Sequence, residues 1–230
     1  MSRARHLAVI FLAVAAGLVS TPAAARTDHN LGFWLNLTAQ GKVAGRGAWF
    51  VELQPRLQDE LSRVDQVLAR TAVGYEVAKG LTLYQGYAHI FLPVTGTGDP
   101  NEDRLFQQIS WTIPGLARGE LSSRTRIEER WRSDGREMQW RVREMVRFEY
   151  PLGGEKSVRA LTSSEVFWVL NRVDWRARSG FDQIRTFAGV EIPVGGTSTM
   201  EAGYLNQVID QPGAGSTVAH NIALSVFWRW

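Results

Sequence analysis

The stretch that decides the fold is Thr217–Trp230, TVAHNIALSVFWRW. Every second residue counted back from Trp230 is apolar as far as Ile222, and the residues between them are mostly small or polar. A period of two places alternate side chains on opposite faces of an extended backbone, so this stretch is predicted to be a β-strand with one apolar face. An exposed Trp-x-Trp strand promotes aggregation in water, whereas the same face is stable against lipid.

The apolar face of this strand is also similar to the C-terminal signal that bacterial outer-membrane barrels present to their assembly machinery. The residues assigned to that signal are Ile222, Leu224, Val226, Trp228 and Trp230. Tryptophan is enriched where a membrane meets water, so the last two are expected in an interfacial girdle. We therefore expect a protein of the bacterial outer membrane, with outer-membrane lipid, lipopolysaccharide and the barrel-assembly machinery as its partners.

The N-terminal segment has the pattern of a secretory signal peptide. Arg3 and Arg5 precede an apolar run at 7–19, and Ala23-Ala24-Ala25 follows as a cleavage site. The run of about 13 apolar residues is shorter than the roughly 20 that a transmembrane helix needs. Residues 1–25 are therefore predicted to be a cleaved signal peptide that directs export across the inner membrane, and residues 26–230 a single barrel domain.

The composition excludes several classes of function. The formal charge of +3 comes from 26 basic and 23 acidic residues, and two of the basic residues lie in the signal peptide, which leaves 24 against 23. A nearly neutral mature chain gives no reason to expect nucleic acid as a partner. The chain has no cysteine, so it has no disulfide framework and no thiolate metal site.

Several internal segments alternate in the same way, and their polar faces carry mostly arginine and glutamate. In 138–150, MQWRVREMVRFEY, the even-numbered residues are apolar except Glu144, and most odd-numbered residues are charged or polar. In a closed barrel these charged faces meet in the lumen, where guanidinium groups bridge carboxylates on neighbouring strands. The predicted lumen charge network consists of Arg124, Arg126, Glu128, Arg130, Arg141, Arg143, Arg147, Glu149, Arg159, Glu165, Arg185 and Glu191.

Two interpretations of this charged face remain open. Ion pairs can fill a narrow barrel and close it, or they can line an anion-favouring path for a small solute. A soluble β-sandwich also alternates, but here the apolar faces carry tryptophan and tyrosine near the segment ends, which is typical of two interfacial girdles. The residues that carry this argument are Trp131, Trp140, Tyr150, Trp168, Trp228 and Trp230.

The connections predict an antiparallel transmembrane barrel of about 10–12 strands. Tight glycine-containing connections, such as Pro114-Gly115, alternate along the chain with longer polar ones, such as 95–103. Eleven segments can be read as strands, although bacterial single-chain barrels are expected to have an even number. The first segment, 33–40, would run in the wrong direction to close antiparallel onto the last strand. If Trp230 ends at the periplasmic face, the tight connections are periplasmic.

Three stretches carry a resemblance to a known family. They are SSEVFWVLN (163–171), FDQIRTFAGVEIP (181–193) and MEAGYLNQV (200–208), and the upstream segment that ends in FEYPL (148–152) fits the same pattern. These stretches resemble the predicted outer-membrane barrels of domain of unknown function 2490. The resemblance implies export and a β-barrel, and it implies neither an activity nor any catalytic residue.

A search for catalytic residues gives little. His220 and Ser225 are separated by an odd spacing, which places them on opposite faces of one strand and excludes a His–Ser pair. His89 could point inward beside Gln85 and Tyr87, but no serine or carboxylate partner can be named for it. Asp99, Glu102 and Asp103 are interpreted as a solvated acidic loop, since their spacing does not fit a calcium-binding loop. No catalytic residue, metal site or cofactor is predicted.

The sequence thus predicts an all-β, integral outer-membrane barrel without enzymatic activity. Its role would be structural, or passage of a small solute through a narrow pore. The alternative is an outer-membrane lipid-modifying enzyme of the lipase or deacylase kind, in which His89 is the sole candidate base.

Overall fold

The chain folds into strands throughout the part that the computed structural model describes, which comprises residues 27–58, 60–93, 100–154, 157–176, 178–211 and 215–230. The predicted signal peptide and Asp99 lie outside these residues. The strands are β1 (Thr27–Val43), β2 (Gly47–Gln58), β3 (Arg63–Ala78), β4 (Leu81–Phe91), β5 (Asn101–Leu116), β6 (Gly119–Arg132), β7 (Gln139–Pro151), β8 (Arg159–Val169), β9 (Gly180–Gly195), β10 (Ser198–Gln211) and β11 (Gly215–Arg229). Within these residues, no helix is long and apolar enough to cross a membrane.

The eleven strands close into one barrel, in which each strand pairs antiparallel with the next along the chain. The closure is different, because β1 and β11 pair in parallel, with Phe33 opposite Ile222 and Leu37 opposite Val226. The prediction of an all-β barrel of about 10–12 strands is confirmed, with eleven strands. The expectation that the barrel is antiparallel throughout is wrong at this one pair. Strands that alternate in direction give an odd-numbered barrel a first and a last strand that run the same way, so such a barrel can close only in parallel.

The alternation of the sequence separates two chemically different faces. Charged side chains such as Arg126 and Glu128 are almost fully buried inside, while Val73, Ile222 and Trp168 are half or more exposed on the outside. This distribution is the reverse of that in a globular protein in water, where buried charges are rare. The inner face therefore has to be held together by ion pairs and hydrogen bonds.

Glycines on the inner face make room for aromatic rings of the neighbouring strand. A Cβ atom on Gly86 would lie 2.2 Å from Cζ of Phe106, and one on Gly203 would lie 2.7 Å from Cζ of Phe187. The tyrosines that follow these glycines, Tyr87 and Tyr204, are exposed on the outside. The Gly-Tyr dipeptides therefore have a packing role, since only glycine lets a ring lie flat on the inner wall.

The connections fall into two sets that lie at opposite ends of the barrel. The short-turn end is the end at which β1, β3, β5, β7 and β9 finish, and Trp230 lies there. The long-loop end is the end at which β2, β4, β6, β8 and β10 finish. Most connections alternate in length as the sequence predicts, but the seven residues between β7 and β8 outnumber the six between β6 and β7.

One predicted turn is displaced. Pro114-Gly115 was expected to connect two strands, but β5 continues to Leu116 and the register shifts between Pro114 and Leu116. The turn is formed instead by Ala117 and Arg118, both with positive φ, at 51° and 70°. Gly115, with φ of 77°, belongs to the bulge that precedes the turn. Proline has no N–H to donate, and a bulge beside the turn tolerates that loss.

Candidate functional site

The candidate functional site is the polar interior of the barrel. All twelve side chains of the predicted lumen charge network lie on the inner face. Eight of them are buried, while Arg124, Arg147, Arg159 and Arg185 are partly exposed to the interior space. The interior has two parts, a filled region under the long-loop end and a cavity that extends toward the short-turn end.

The filled region, which we call the ion-pair plug, is formed by Glu102, Arg104, Glu128, Arg130, Gln139, Arg141, Arg143 and Asp182. Arg130 donates from Nε and Nη2 to both carboxylate oxygens of Glu102, at 2.5 and 3.0 Å, and Arg104 donates to the same group at 2.6 Å. Glu128 accepts from Arg141 at 2.9 Å and from Arg143 at 2.8 Å. Buried charges need such pairing, because removal from water costs several kcal/mol per ion.

Three charged members of the plug are absent from the predicted lumen charge network. They are Glu102, Arg104 and Asp182. Glu102 was interpreted as part of a solvated acidic loop, but it is 2% exposed and lies inside the barrel. Its neighbour Asp103 points outward, so the proposed acidic cluster does not exist as a group. The alternation from Glu102 through Arg104 to Phe106 could have revealed this strand. Among the described residues, no group of three or more histidine or acidic side chains could hold a metal ion.

Asp182 joins the plug because of a bulge. Phe167 pairs with Gln183 and Trp168 pairs with Phe181, so Asp182 has no partner on β8 and both Asp182 and Gln183 are buried. Its carboxylate lies 2.6 Å from Nη2 of Arg176 and 3.6 Å from Nη1 of Arg141. Strict alternation along the sequence cannot place a residue that follows a register shift.

The loop between β8 and β9 packs against the loop between β6 and β7 at the long-loop end. The guanidinium of Arg130 in the plug lies 5.3 Å from the Trp175 ring, and the Trp175 indole donates to the carbonyl of Glu137 at 2.9 Å. The carboxylate of Asp174 accepts from the backbone N–H of Arg136 at 2.8 Å. This bond and further backbone N–H groups lower the pKa of the Asp174 carboxyl below its usual range. The plug and these loops together fill this end of the interior.

The other part of the interior is a cavity of about 340 Å³, lined by residues of every strand except β4 and β5. Side chains toward the short-turn end are partly exposed, including Arg147, Arg159 and Arg229, whereas those of the plug are buried. Within the described residues, the plug thus fills the interior beneath the loops of β6–β7 and β8–β9, and the cavity extends from it toward the short-turn end. Its lining includes seven arginines and four glutamates. They are Arg56, Arg70, Arg124, Arg143, Arg147, Arg185 and Arg229, with Glu52, Glu149, Glu165 and Glu201.

The four glutamates of the cavity are already engaged. Glu165 accepts from Arg124 at 2.7 Å and from Arg143 at 2.8 Å. Glu52 accepts from Arg70 at 2.7 Å. Arg147 lies 2.6 Å from Glu149 on the same strand, β7, and 2.7 Å from Glu201 on β10. These pairs connect neighbouring walls of the barrel and leave no lining carboxylate free for the remaining arginines.

Two of those arginines lie against one tryptophan that the sequence analysis did not single out. The guanidinium carbon of Arg56 is 3.8 Å from the ring centre of Trp34, and that of Arg185 is 4.8 Å from it. Arg56 donates to the side chains of Gln54 and Gln66, which are neutral. Neither arginine has a carboxylate within ion-pair distance in the described part of the chain. The cavity therefore holds a local excess of positive charge at this point.

The sequence left the facing of His89 open, with an inward orientation as one possibility. His89 points outward rather than into the lumen, because the inward residues of β4 are Tyr84, Gly86, Ala88 and Ile90. Its Nδ1 lies 2.8 Å from Asp103 Oδ1, and the hydroxyl of Tyr87 donates to the same oxygen. The carboxylate partner that could not be named from the sequence is thus Asp103, the third residue of the neighbouring strand β5.

The remaining predicted residues lie near the C-terminus. His220 is on the outer face and stacks on Tyr204, while Ser225 lines the cavity, so the two are on opposite faces as predicted. Ile222, Leu224, Val226 and Trp228 share the outer face of β11. Trp230 stacks on Trp49 with ring centres 6.0 Å apart, and its backbone N–H donates to Gln40.

Comparisons with known proteins find a family model and a relative, and neither indicates an activity. A family model described as protein of unknown function (DUF2490) matches residues 31–218. An uncharacterised protein of Methylorubrum extorquens strain AM1 is 39% identical over 227 residues, covering 98% of this chain and 99% of its own length. No solved structure matches the chain.

Proposed function

The chain belongs to the DUF2490 family of proteins of unknown function, and on that premise we propose that it is an integral β-barrel of the bacterial outer membrane, without enzymatic activity and with a lumen closed at one end. The observation that carries the proposal is the reversed distribution of side chains, with ion pairs inside and apolar side chains outside. In water the outer surface would be a large exposed apolar patch, which monomeric soluble proteins avoid. Against lipid the same surface is solvated.

Aromatic side chains at both ends of the outer surface support this location. Trp131, Trp140 and Trp168 lie near the long-loop end, and Tyr150, Trp228 and Trp230 lie near the short-turn end. Two such girdles are typical of the two membrane–water interfaces. The strands have 11 to 17 residues, which is enough for the about 9–11 that a tilted strand needs to cross the hydrocarbon core.

The closed lumen favours a structural or ligand-binding role over free passage of solutes. Short turns face the periplasm in bacterial barrels, so the cavity would open to the periplasm and the ion-pair plug would lie beneath the outer loops. A barrel of eleven strands lies between those filled by side chains and those with water channels. The ion-pair plug supports the filled alternative.

Three measurements test the proposal. A closed barrel should migrate differently on a gel before and after heating in detergent, and unchanged migration would contradict the barrel. The chain from Arg26 onward should be recovered with outer membranes, and recovery in the aqueous fraction without detergent would point to a periplasmic protein. Refolded protein in a planar bilayer should give no conductance steps. Steady, ion-selective steps would show an open lumen and support passage of solutes.

Assembly into the membrane is proposed to depend on the C-terminal strand. Trp230→Ser removes both the terminal aromatic residue and its stacking on Trp49. We expect less of this variant in the outer membrane and more degraded protein, while the refolded variant keeps its heat-dependent gel shift. Trp111→Ser removes an exposed tryptophan from β5 instead of the C-terminal strand, so it is the matched control and should assemble normally.

A lipid-modifying enzyme remains the second candidate because of the His89–Asp103 pair. A histidine hydrogen-bonded to a carboxylate can act as a base, and here it lies on the face that would meet lipid. However, no serine or threonine hydroxyl is hydrogen-bonded to His89 in the described residues, so a nucleophile is missing. Lipid hydrolysis by the purified protein that disappears with His89→Ala would establish this function. Absence of hydrolysis in the parent protein would exclude it.

A further inference from the structure

The cavity lining combines charged and apolar side chains. Its arginines come from β2, β3, β6, β7, β9 and β11, and the apolar side chains Phe187, Leu205, Ala223 and Phe227 come from β9, β10 and β11. A purely structural ion-pair lattice has no need for apolar side chains beside unfilled space. A concave site with an apolar surface and a few converging polar groups is the usual form of a small-molecule site.

The charges of the cavity are not balanced by the protein itself. Among the described residues, Arg56 and Arg185 have no carboxylate within ion-pair distance, although both lie in the interior next to other arginines. A buried charge without a partner is strongly unfavourable, so an unpaired guanidinium at an accessible cavity favours an anion from solution. The guanidinium fork is suited to oxyanions, because it can donate two parallel hydrogen bonds to a carboxylate or a phosphate.

Trp34 between these arginines adds a second, independent indication. Its side chain is 5% exposed and lines the cavity, yet its indole Nε1 has no hydrogen-bond partner. The Nε of Arg185 is also buried without a partner. A buried indole N–H usually finds an acceptor. Two unsatisfied buried donors and two unpaired positive charges therefore meet at the same point of the cavity wall.

We propose that this point is an anion subsite for a small amphipathic organic anion. The oxyanion head, a carboxylate or a phosphate, binds to Arg56, Arg185 and the indole N–H of Trp34, and the apolar body lies along Phe187, Leu205 and Phe227. The ligand enters from the short-turn end, since the ion-pair plug closes the other. The inference deepens the proposed function, because it assigns a ligand class to the closed lumen and rests on that lumen being closed.

The test is isothermal titration of the refolded protein in detergent with 2-naphthoate. Three further probes separate the contributions: 2-naphthamide has the same rings without charge, inorganic phosphate has the charge without rings, and 1-naphthyl phosphate carries the other head. We expect saturable binding of the two aromatic anions and at least about tenfold weaker binding of the amide and of inorganic phosphate. The aromatic anion that binds with the higher affinity identifies the preferred oxyanion, carboxylate or phosphate.

Substitutions of the proposed ligand-binding residues test whether the anion binds at this subsite. Arg185→Gln and Arg56→Gln should each lower the affinity for the more tightly bound aromatic anion by about tenfold or more. Both variants should fold, since each removes an unpaired buried charge. Trp34→Phe keeps an aromatic ring and removes the N–H together with the pyrrole part of the indole, so it tests the subsite should either arginine variant fail to fold. Arg46→Gln, in an exposed turn, removes the same charge outside the cavity and should bind as the parent does.

The heat-dependent gel shift separates the failure of this inference from that of the proposed function. Protein that shows the shift but binds neither aromatic anion would overturn the anion subsite and leave the barrel intact. Binding that is unchanged in all folded subsite variants would overturn it as well. Protein without the shift contradicts the proposed barrel itself.

Discussion

Arg130 on β6 and Glu102 on β5 form a two-pronged ion pair in the buried interior, with Nε and Nη2 of the arginine bonded to the two carboxylate oxygens at 2.5 and 3.0 Å. Arg104 on the same strand as Glu102 donates to one of these oxygens. A single carboxylate thus bridges two guanidinium groups beneath the long loops. This arrangement makes Glu102 the residue on which the plug depends most.

Replacement of Glu102 by alanine should strongly destabilise the barrel. It leaves Arg104 and Arg130 buried without a carboxylate, and breaking a buried pair in this way costs about 3–5 kcal/mol. Urea unfolding in lipid vesicles, followed by tryptophan fluorescence, measures the change. Asp134→Asn removes a comparable contact to Arg132 at the exposed rim and should change the free energy of unfolding by less than about 1 kcal/mol. Equal effects of the two substitutions would contradict a buried plug.

Parallel closure of the barrel predicts which cysteines can be cross-linked in this cysteine-free chain. Leu31 pairs with His220, so the double variant Leu31→Cys, His220→Cys should form a disulfide on oxidation. Leu31→Cys with Trp228→Cys should not, since position 228 lies eight residues farther along β11, about 26 Å away. Non-reducing gels distinguish the two. Antiparallel closure would bring position 31 toward 228 and reverse the result.

The turn between β5 and β6 should be improved by residues that accept positive φ. Ala117 and Arg118 have φ of 51° and 70°, a conformation that costs about 1–2 kcal/mol for an ordinary L-residue. Asn-Gly is preferred in two-residue hairpin turns of this kind. The double variant Ala117→Asn, Arg118→Gly should raise the free energy of unfolding by about 1 kcal/mol. Arg46→Gly, at a turn position without positive φ, should give no increase.

Docking of the loop that contains Asp174 should depend on pH. Backbone N–H groups of Arg136, Glu137 and Trp175 lower the pKa of this carboxyl in the folded state. A lowered folded-state pKa stabilises the docked loop above the unfolded pKa of about 3.9, and the effect is lost as the pH falls through the folded-state value. Hydrogen exchange of the 133–138 amides, corrected for its intrinsic pH dependence, should accelerate in acid. Asp174→Asn should exchange faster at neutral pH and lose this dependence.

Much of the site could be predicted from the sequence because the period of a strand is local. In 138–150, parity alone assigns Arg141, Arg143 and Arg147 to one face and Trp140 and Val142 to the other. The same parity separates His220 from Ser225. The rule failed at Asp182, where a bulge changes the parity. It also gave no assignment for His89, because β4 lacks a clear contrast between its faces.

The sequence by itself therefore determined the strands, their two faces and the charged character of the lumen, since each depends only on the order of neighbouring residues along an extended backbone. The tertiary structure alone decided the parallel closure of β1 on β11, the pairing of Glu102 with Arg130, and the meeting of Arg56 and Arg185 at Trp34. Glu102 and Arg130 lie on consecutive strands, and the other residues come from strands distant in sequence. The curvature and register of the closed barrel bring them together, and no local pattern records either quantity.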